Sequence, residues 1–158
     1  MPILMRHNEA LELTRVDVFG KLLPEHVRGY GAYGMANPHW AEFDTMTFVG
    51  ADADVSAITR TDIDGFFNAF GRMLRASEKM VRRRTGWVCD NVIHEAVLAH
   101  WLTKRNANVE PDAQVRLFRT AEAASEWLLL NPSAASALSS GDGFTELARF
   151  DGAAGAAR

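Results

Sequence analysis

The sequence predicts an α/β domain with a mixed, mostly parallel β-sheet and crossover helices. Short apolar runs recur along the chain, between them lie longer stretches with apolar residues three and four apart, and the two kinds alternate as β-β-α-β-α-β-α-β-α. Parallel neighbours need a crossover of this kind, usually a helix.

Ile3 to Met5 and Ala10 to Phe19 read as the first two strands, with His7, Asn8 and Glu9 as the turn between them. In the second strand Leu11 and Leu13 alternate in one phase and Val16 and Val18 in the other. A bulge near Thr14 and Arg15 would account for that slip, because one inserted residue swaps faces in a period-two pattern. Gly20 closes the strand and Pro24 sits in the first turn of a helix, where its missing N–H costs nothing. From Arg28 to Trp40 the helix is weakened by Gly29, Gly31 and Gly34, each by about 1 kcal/mol relative to Ala, and Pro38 stops it. Thr45 to Val49 is a compact strand followed by the polar turn Gly50 to Asp54.

Asp54 to Phe67 is expected to run from a short β-prone piece (Val55, Ile58, Thr59) through a turn into a helix capped by Thr61 or Asp62. Ile63, Phe66, Phe67, Phe70, Met73, Leu74 and Met80 form its buried stripe, and Arg82 to Arg84 suit its C-terminal end. Thr85 to Asp90 reads as a central strand. Val92 to Lys104 reads as a helix apolar over more than half its circumference, which suggests homodimerisation to cover the excess. Val115 to Phe118 is the last strand expected and Ala121 to Leu130 the last helix packed on the sheet, capped by Thr120 and stopped by Asn131 and Pro132. The domain is therefore drawn at residues 1–131. Residues 132–158 are rich in Ser, Ala and Gly and read as a tail, with Phe144, Leu147 and Phe150 at the spacing of a short docking helix.

Composition narrows the function. A chain of 158 residues holds one domain with a core, and a formal charge of -3 with pI near 5.9 argues against nucleic acid as a partner. Cys89 is the only cysteine, so neither an internal disulfide nor a cysteine-based zinc site can form, and a reducing, cytoplasmic setting fits. No segment approaches the roughly 20 apolar residues of a membrane span.

Asp54-Val-Ser-Ala-Ile-Thr-Arg-Thr-Asp-Ile-Asp-Gly65 resembles the signature of the STAS superfamily, the anti-sigma-factor antagonists and their SpoIIAA-like relatives, which runs Asp-Leu-Ser-Gly-Val-Thr, two residues, then Asp-Ser-Ser-Gly at a helix start. Gly20-Lys-Leu22 is similar to the Gly-x-Leu after that family's second strand, and Val115 to Thr120 with Ala124 and Trp127 to its last strand and helix. The resemblance covers roughly residues 10–130. It implies a SpoIIAA-like fold and a non-enzymatic domain that binds a protein partner around Thr59, Thr61, Asp62, Ile63 and Asp64. In signalling members the first serine of Asp-Ser-Ser-Gly is phosphorylated; here Ile63 occupies that position, so the serine switch is absent, and Thr59 or Thr61 is the nearest substitute acceptor.

Other candidates are weaker. Asp62 and Asp64 read first as acids favoured by the helix dipole, and Asp52 and Asp54 as turn residues. His94 and His100 are six apart, about 120° around a helix, unlike the four-residue spacing of the zincin pattern, so no metal site is assigned. Cys89 reads as a buried, inert thiol. Trp40, Trp87, Trp101 and Trp127 read mainly as core. An enzyme is the third choice and would need two titratable groups converging in one cleft; no Gly-rich phosphate loop, nucleophile elbow or Cys-x-x-Cys is present in the sequence. A second function class is a small-molecule or lipid carrier, like the related SEC14-like modules, with an apolar pocket lined by Phe66, Phe70, Trp87 and Trp101.

Overall fold

The computed structural model describes residues 2–76, 83–91, 96–100, 102–103 and 113–151. Its strands are β1 (Ile3–Asn8), β2 (Leu13–Val18), β3 (Asp44–Val49), β4 (Arg83–Val88), β5 (Ala113–Phe118) and β6 (Thr145–Phe150). The helices are α1 (Pro24–Ala36), α2 (Arg60–Ala76), α3 (helical at 96–100 and 102–103), α4 (Ala121–Trp127) and α5 (Pro132–Ser140), with a 3₁₀ turn at Pro38–Glu42. All six strands form one mixed sheet in the order β5-β4-β3-β2-β1-β6. β2, β3, β4 and β5 are parallel neighbours, whereas β1 is antiparallel to both β2 and β6.

Because β2 to β5 follow one another in space as in sequence, their crossovers all pack on the same side. On that first face α1, α2 and α3 cover Ile3, Met5, Val16, Val18 and Val49. On the second face α4 and α5 cover Leu13 and Met46, with Leu138, Ala124 and Leu128 as their own contribution. Every residue of β2 is therefore buried.

That double cover explains the phase slip in β2. The β1–β2 register runs unbroken from Ile3 opposite Val18 to Asn8 opposite Leu13, so no bulge lies at Thr14 and Arg15. The apolar residues change face because Arg15 and Asp17 occupy the second face between them. Both are buried. Asp17 accepts from Arg15 Nε and Nη2 at 2.9 and 2.7 Å and from Arg6 Nη2 at 2.6 Å. Arg15 Nη1 also donates to the carbonyls of Leu138 and Ser139, the latter at 2.8 Å, filling acceptors that the end of α5 leaves open.

Four expectations are corrected here. Residues 132–150 are not a tail. Asn131 and Pro132 start a helix rather than only stopping one, Asn131 Oδ1 accepting from Ala134 N at 2.9 Å with Pro132 at the first helical position. Phe144, Leu147 and Phe150 belong to an edge strand and its approach. The register jumps from Met5 opposite Ala148 to Arg6 opposite Glu146, so Leu147 is an extra residue, and that bulge produces the three-residue spacing that mimics a helix. Arg83 and Arg84 stand in β4, not at a helix end; Arg84 donates through Nε and Nη2 to Asp44 at 3.0 and 2.7 Å. Finally, Val55 to Thr59 form no strand. The only β-type pairing there is an isolated parallel bridge between Lys21 and Asp54 among the described residues.

α1 persists through its glycines because one of them is needed for packing. A Cβ on Gly31 would stand 3.1 Å from the Phe66 ring, so its absence lets α1 and α2 close on each other. Both ends of the expected Val92 to Lys104 helix lie outside the described residues.

Candidate functional site

The loops that leave β2 and β3 lie side by side at the C-terminal edge of the parallel strands, the edge where open α/β sheets hold ligands. They are laced together by the backbone: Leu22 N donates to Asp54 O at 2.8 Å, Asp54 N to Gly20 O at 2.7 Å, and Gly50 N to Val18 O at 2.9 Å. The acids of this rim are held in place. Asp52 Oδ2 accepts from Gly20 N at 3.2 Å and Asp54 Oδ1 from Ser56 N at 2.9 Å.

Thr59, not Thr61 or Asp62, caps α2. Its Oγ1 accepts from Asp62 N at 3.2 Å, while Asp62 Oδ2 accepts from Thr59 N at 2.9 Å and from the Thr59 hydroxyl, which makes a reciprocal capping box. The Thr59 hydroxyl and backbone N–H hold the Asp62 carboxyl below its ordinary pKa, with Arg28 adding a smaller attraction. Asp62 is thus an ionised, oriented carboxylate at an exposed helix start.

The five residues of the expected partner surface divide. Thr59 and Thr61 are exposed and Asp62 is partly so. Ile63 is turned away from them, 6% exposed, and belongs to the wall of an internal cavity. Asp64 faces α3, its Oδ1 3.9 Å from His100 Nε2. Of the acids and histidines weighed for metal, His94 lies outside the described residues, and no cluster of three or more His, Cys, Asp or Glu side chains occurs among those described.

The cavity lies beneath the rim, between the first sheet face and the crossover helices, and encloses about 70 Å³. Its floor is a row set by strand register: Val16 opposite Thr47, and Thr47 opposite Trp87. Tyr30 from α1, Ile63 and Phe66 from α2, and Val97 and Leu98 from α3 close it over. Phe66 and Trp87, two of the four residues expected in an apolar pocket, are there; the Phe70 side chain and Trp101 lie outside the description. Sequence reasoning missed Tyr30 and Thr47. Thr47 carried a legible signal, a hydroxyl on the inward phase of a central strand; Tyr30 sat in a stretch too rich in glycine to be placed on a face.

No family model matches the chain. No curated protein and no solved structure matches it either. What the rim and the cavity do is therefore argued from their own chemistry. The other tryptophans serve the core: Trp40 packs with His7 and Phe43 at ring separations of 4.9 and 5.8 Å, and Trp127 with Phe118 at 5.3 Å. Cys89 is buried, its thiol donating to Asn91 O at 3.6 Å. Among the described residues no helix is long and apolar enough to cross a membrane.

Proposed function

We propose that this chain is a non-enzymatic binding module of SpoIIAA-like architecture that engages a protein partner through the rim at Asp52, Asp54, Thr59, Thr61, Asp62 and Asp64. The observation that carries the reading is the preorganised acidic rim at the start of α2: fixed carboxylates lose little freedom on meeting a basic surface. Sequential strands with crossover helices on one face support the SpoIIAA-like architecture, and the stretch from Asp54 to Gly65 runs from the loop after β3 into the first turns of α2, in keeping with the resemblance. With Ile63 buried at the switch position, the surface is constitutive rather than serine-switched. Affinity capture from the native source with wild type and with Asp62→Lys/Asp64→Lys tests it. Partners retained equally by both would end the case for this rim.

A second reading, a carrier for a small apolar molecule, is favoured by the cavity. At about 70 Å³ it does not hold an acyl chain, so the lipid form of that reading is not the one supported. A native mass measurement before and after denaturation detects any molecule that co-purifies.

A further inference from the structure

We propose that the open edge of β5 is a self-association surface, on which a second copy of this chain lays its own β5 antiparallel about a two-fold axis at Val115. The inference is independent of the rim and of the cavity. It also names a different surface from the Val92 to Lys104 helix that suggested a homodimer.

The ladder defines the edge. β5 is the last strand of the sheet and pairs with β4 alone. Phe118 O accepts from Cys89 N at 2.9 Å, so the backbone of Phe118, and with it that of Gln114 and Arg116, faces β4. Backbone direction alternates along a strand, which turns the N–H and C=O of Ala113, Val115 and Leu117 outward. Among the described residues those outward groups have no hydrogen-bond partner.

The opposite edge of the same sheet is guarded. β6 carries the bulge at Leu147 and the exposed ion pair of Glu146 with Arg149, two devices by which edge strands resist further pairing. β5 has neither. Its register runs unbroken from Ala113 opposite Arg83 to Phe118 opposite Val88, and Arg116 is its single charge. A flat row of open donors and acceptors is a template for another strand.

Charge selects the occupant. In sequence the strand is entered from Glu110 and Asp112 and left through Arg116 and Arg119, so acid lies toward one end and base toward the other. An antiparallel second copy brings the acidic end of each strand to the basic end of its partner, whereas a parallel copy sets like against like. Register follows from the same rule. With the axis at Val115, the outward groups of Ala113, Val115 and Leu117 all pair, and the exposed Gln114 stands opposite the partner's Arg116. An axis at Arg116 would set two arginines face to face, which is destabilising. Two-fold pairing also consumes both open edges, so the assembly closes as a dimer.

The test is analytical ultracentrifugation of the purified full chain over a concentration series, with wild type, Gln114→Lys, Gln114→Glu and Gln114→Lys/Arg116→Glu, each checked for folding by its urea midpoint. Both positions are exposed, so the variants leave the core untouched. Wild type is expected to dimerise as concentration rises. Gln114→Lys puts like charges opposite each other at both symmetric positions and should weaken the dimer by about tenfold, while Gln114→Glu should tighten it by about the same factor. The double variant restores unlike charges and should recover most of the lost affinity. A wild type that stays monomeric throughout overturns the proposal. A dimer indifferent to all three variants overturns it as well, because its interface then lies elsewhere.

Discussion

The two faces of the sheet solve the same problem differently. Both must cover β2 and β3, yet the second face does so with large side chains packed to full burial and a buried ion network, and the first with aliphatic and aromatic walls around a void. On the second face Met46 and Leu138 are 0% exposed, the Arg15 guanidinium lies 4.1 Å over the Phe48 ring, and Asp17 is 2% exposed between two arginines. On the first face the floor residues Val16, Thr47 and Val49 are small and meet a cavity. A closely packed face specifies structure, since charges buried there tolerate few arrangements. A face with a void keeps room for something else.

The largest test of that contrast is Asp17→Ala. It leaves Arg15 buried without its carboxylate and should cost about 3–5 kcal/mol, read as a shift in urea midpoint at unchanged slope. A cost near that of a surface substitution would mean that the network does not hold the second face. Truncation and filling then compare the faces directly. Leu138→Ala should cost about 2–5 kcal/mol, whereas Val16→Ile, which adds a methylene toward the cavity, should stabilise by about 0.5–2 kcal/mol. If Val16→Ile destabilises instead, the first face is as full as the second and the contrast fails.

A smaller effect is expected at Gly141, which ends α5 with φ of 82° and donates its N–H to Ala137 O at 2.8 Å. A Cβ there would stand 2.6 Å from Arg6 Nη1. Gly141→Ala should cost about 1–2 kcal/mol from the left-handed backbone alone, measured in the same titration. The mildest prediction concerns pH. Burial lowers the His7 pKa below its ordinary 6.5, against the opposing pull of Glu9 and Glu12. The unfolded chain thus takes up a proton first, so the contribution of His7 is complete above pH 6.5 and is lost as pH falls through the lowered folded value. His7→Phe, which keeps the ring against Trp40 and Phe43, should flatten stability across that window; an unchanged slope would assign the acid sensitivity to other groups.

Much of this fold was legible because local pattern and burial agree in it. β3 and the stripe of Ile63 and Phe66 read correctly from spacing, and Thr120 was recognised as a cap from its place before Ala121. His7 and Asn8, expected in the hairpin turn, instead continue β1 opposite Thr14 and Leu13, and the turn falls at residues 9–12. The site was half legible. The loop after β3 and the start of α2, from Asp54 to Asp64, were found by their residues, but Ile63 points inward although its neighbours suggested a surface, because one turn of helix carries residues from rim to core.

The sequence by itself determined the alternation of strands and helices and the start of α1 at Pro24, since these depend on local propensity and on period. Only the tertiary structure decided where the chain ends its domain, which face each half of β2 serves, and that a cavity exists. Asn131 and Pro132 fit the end of one helix and the start of the next equally well, and Leu147 and Phe150 fit a helix until β1 offers an unpaired edge to bulge against. Packing decides such cases because it joins residues far apart in the chain, as Arg15 and Leu138 are joined here, and no local window contains both.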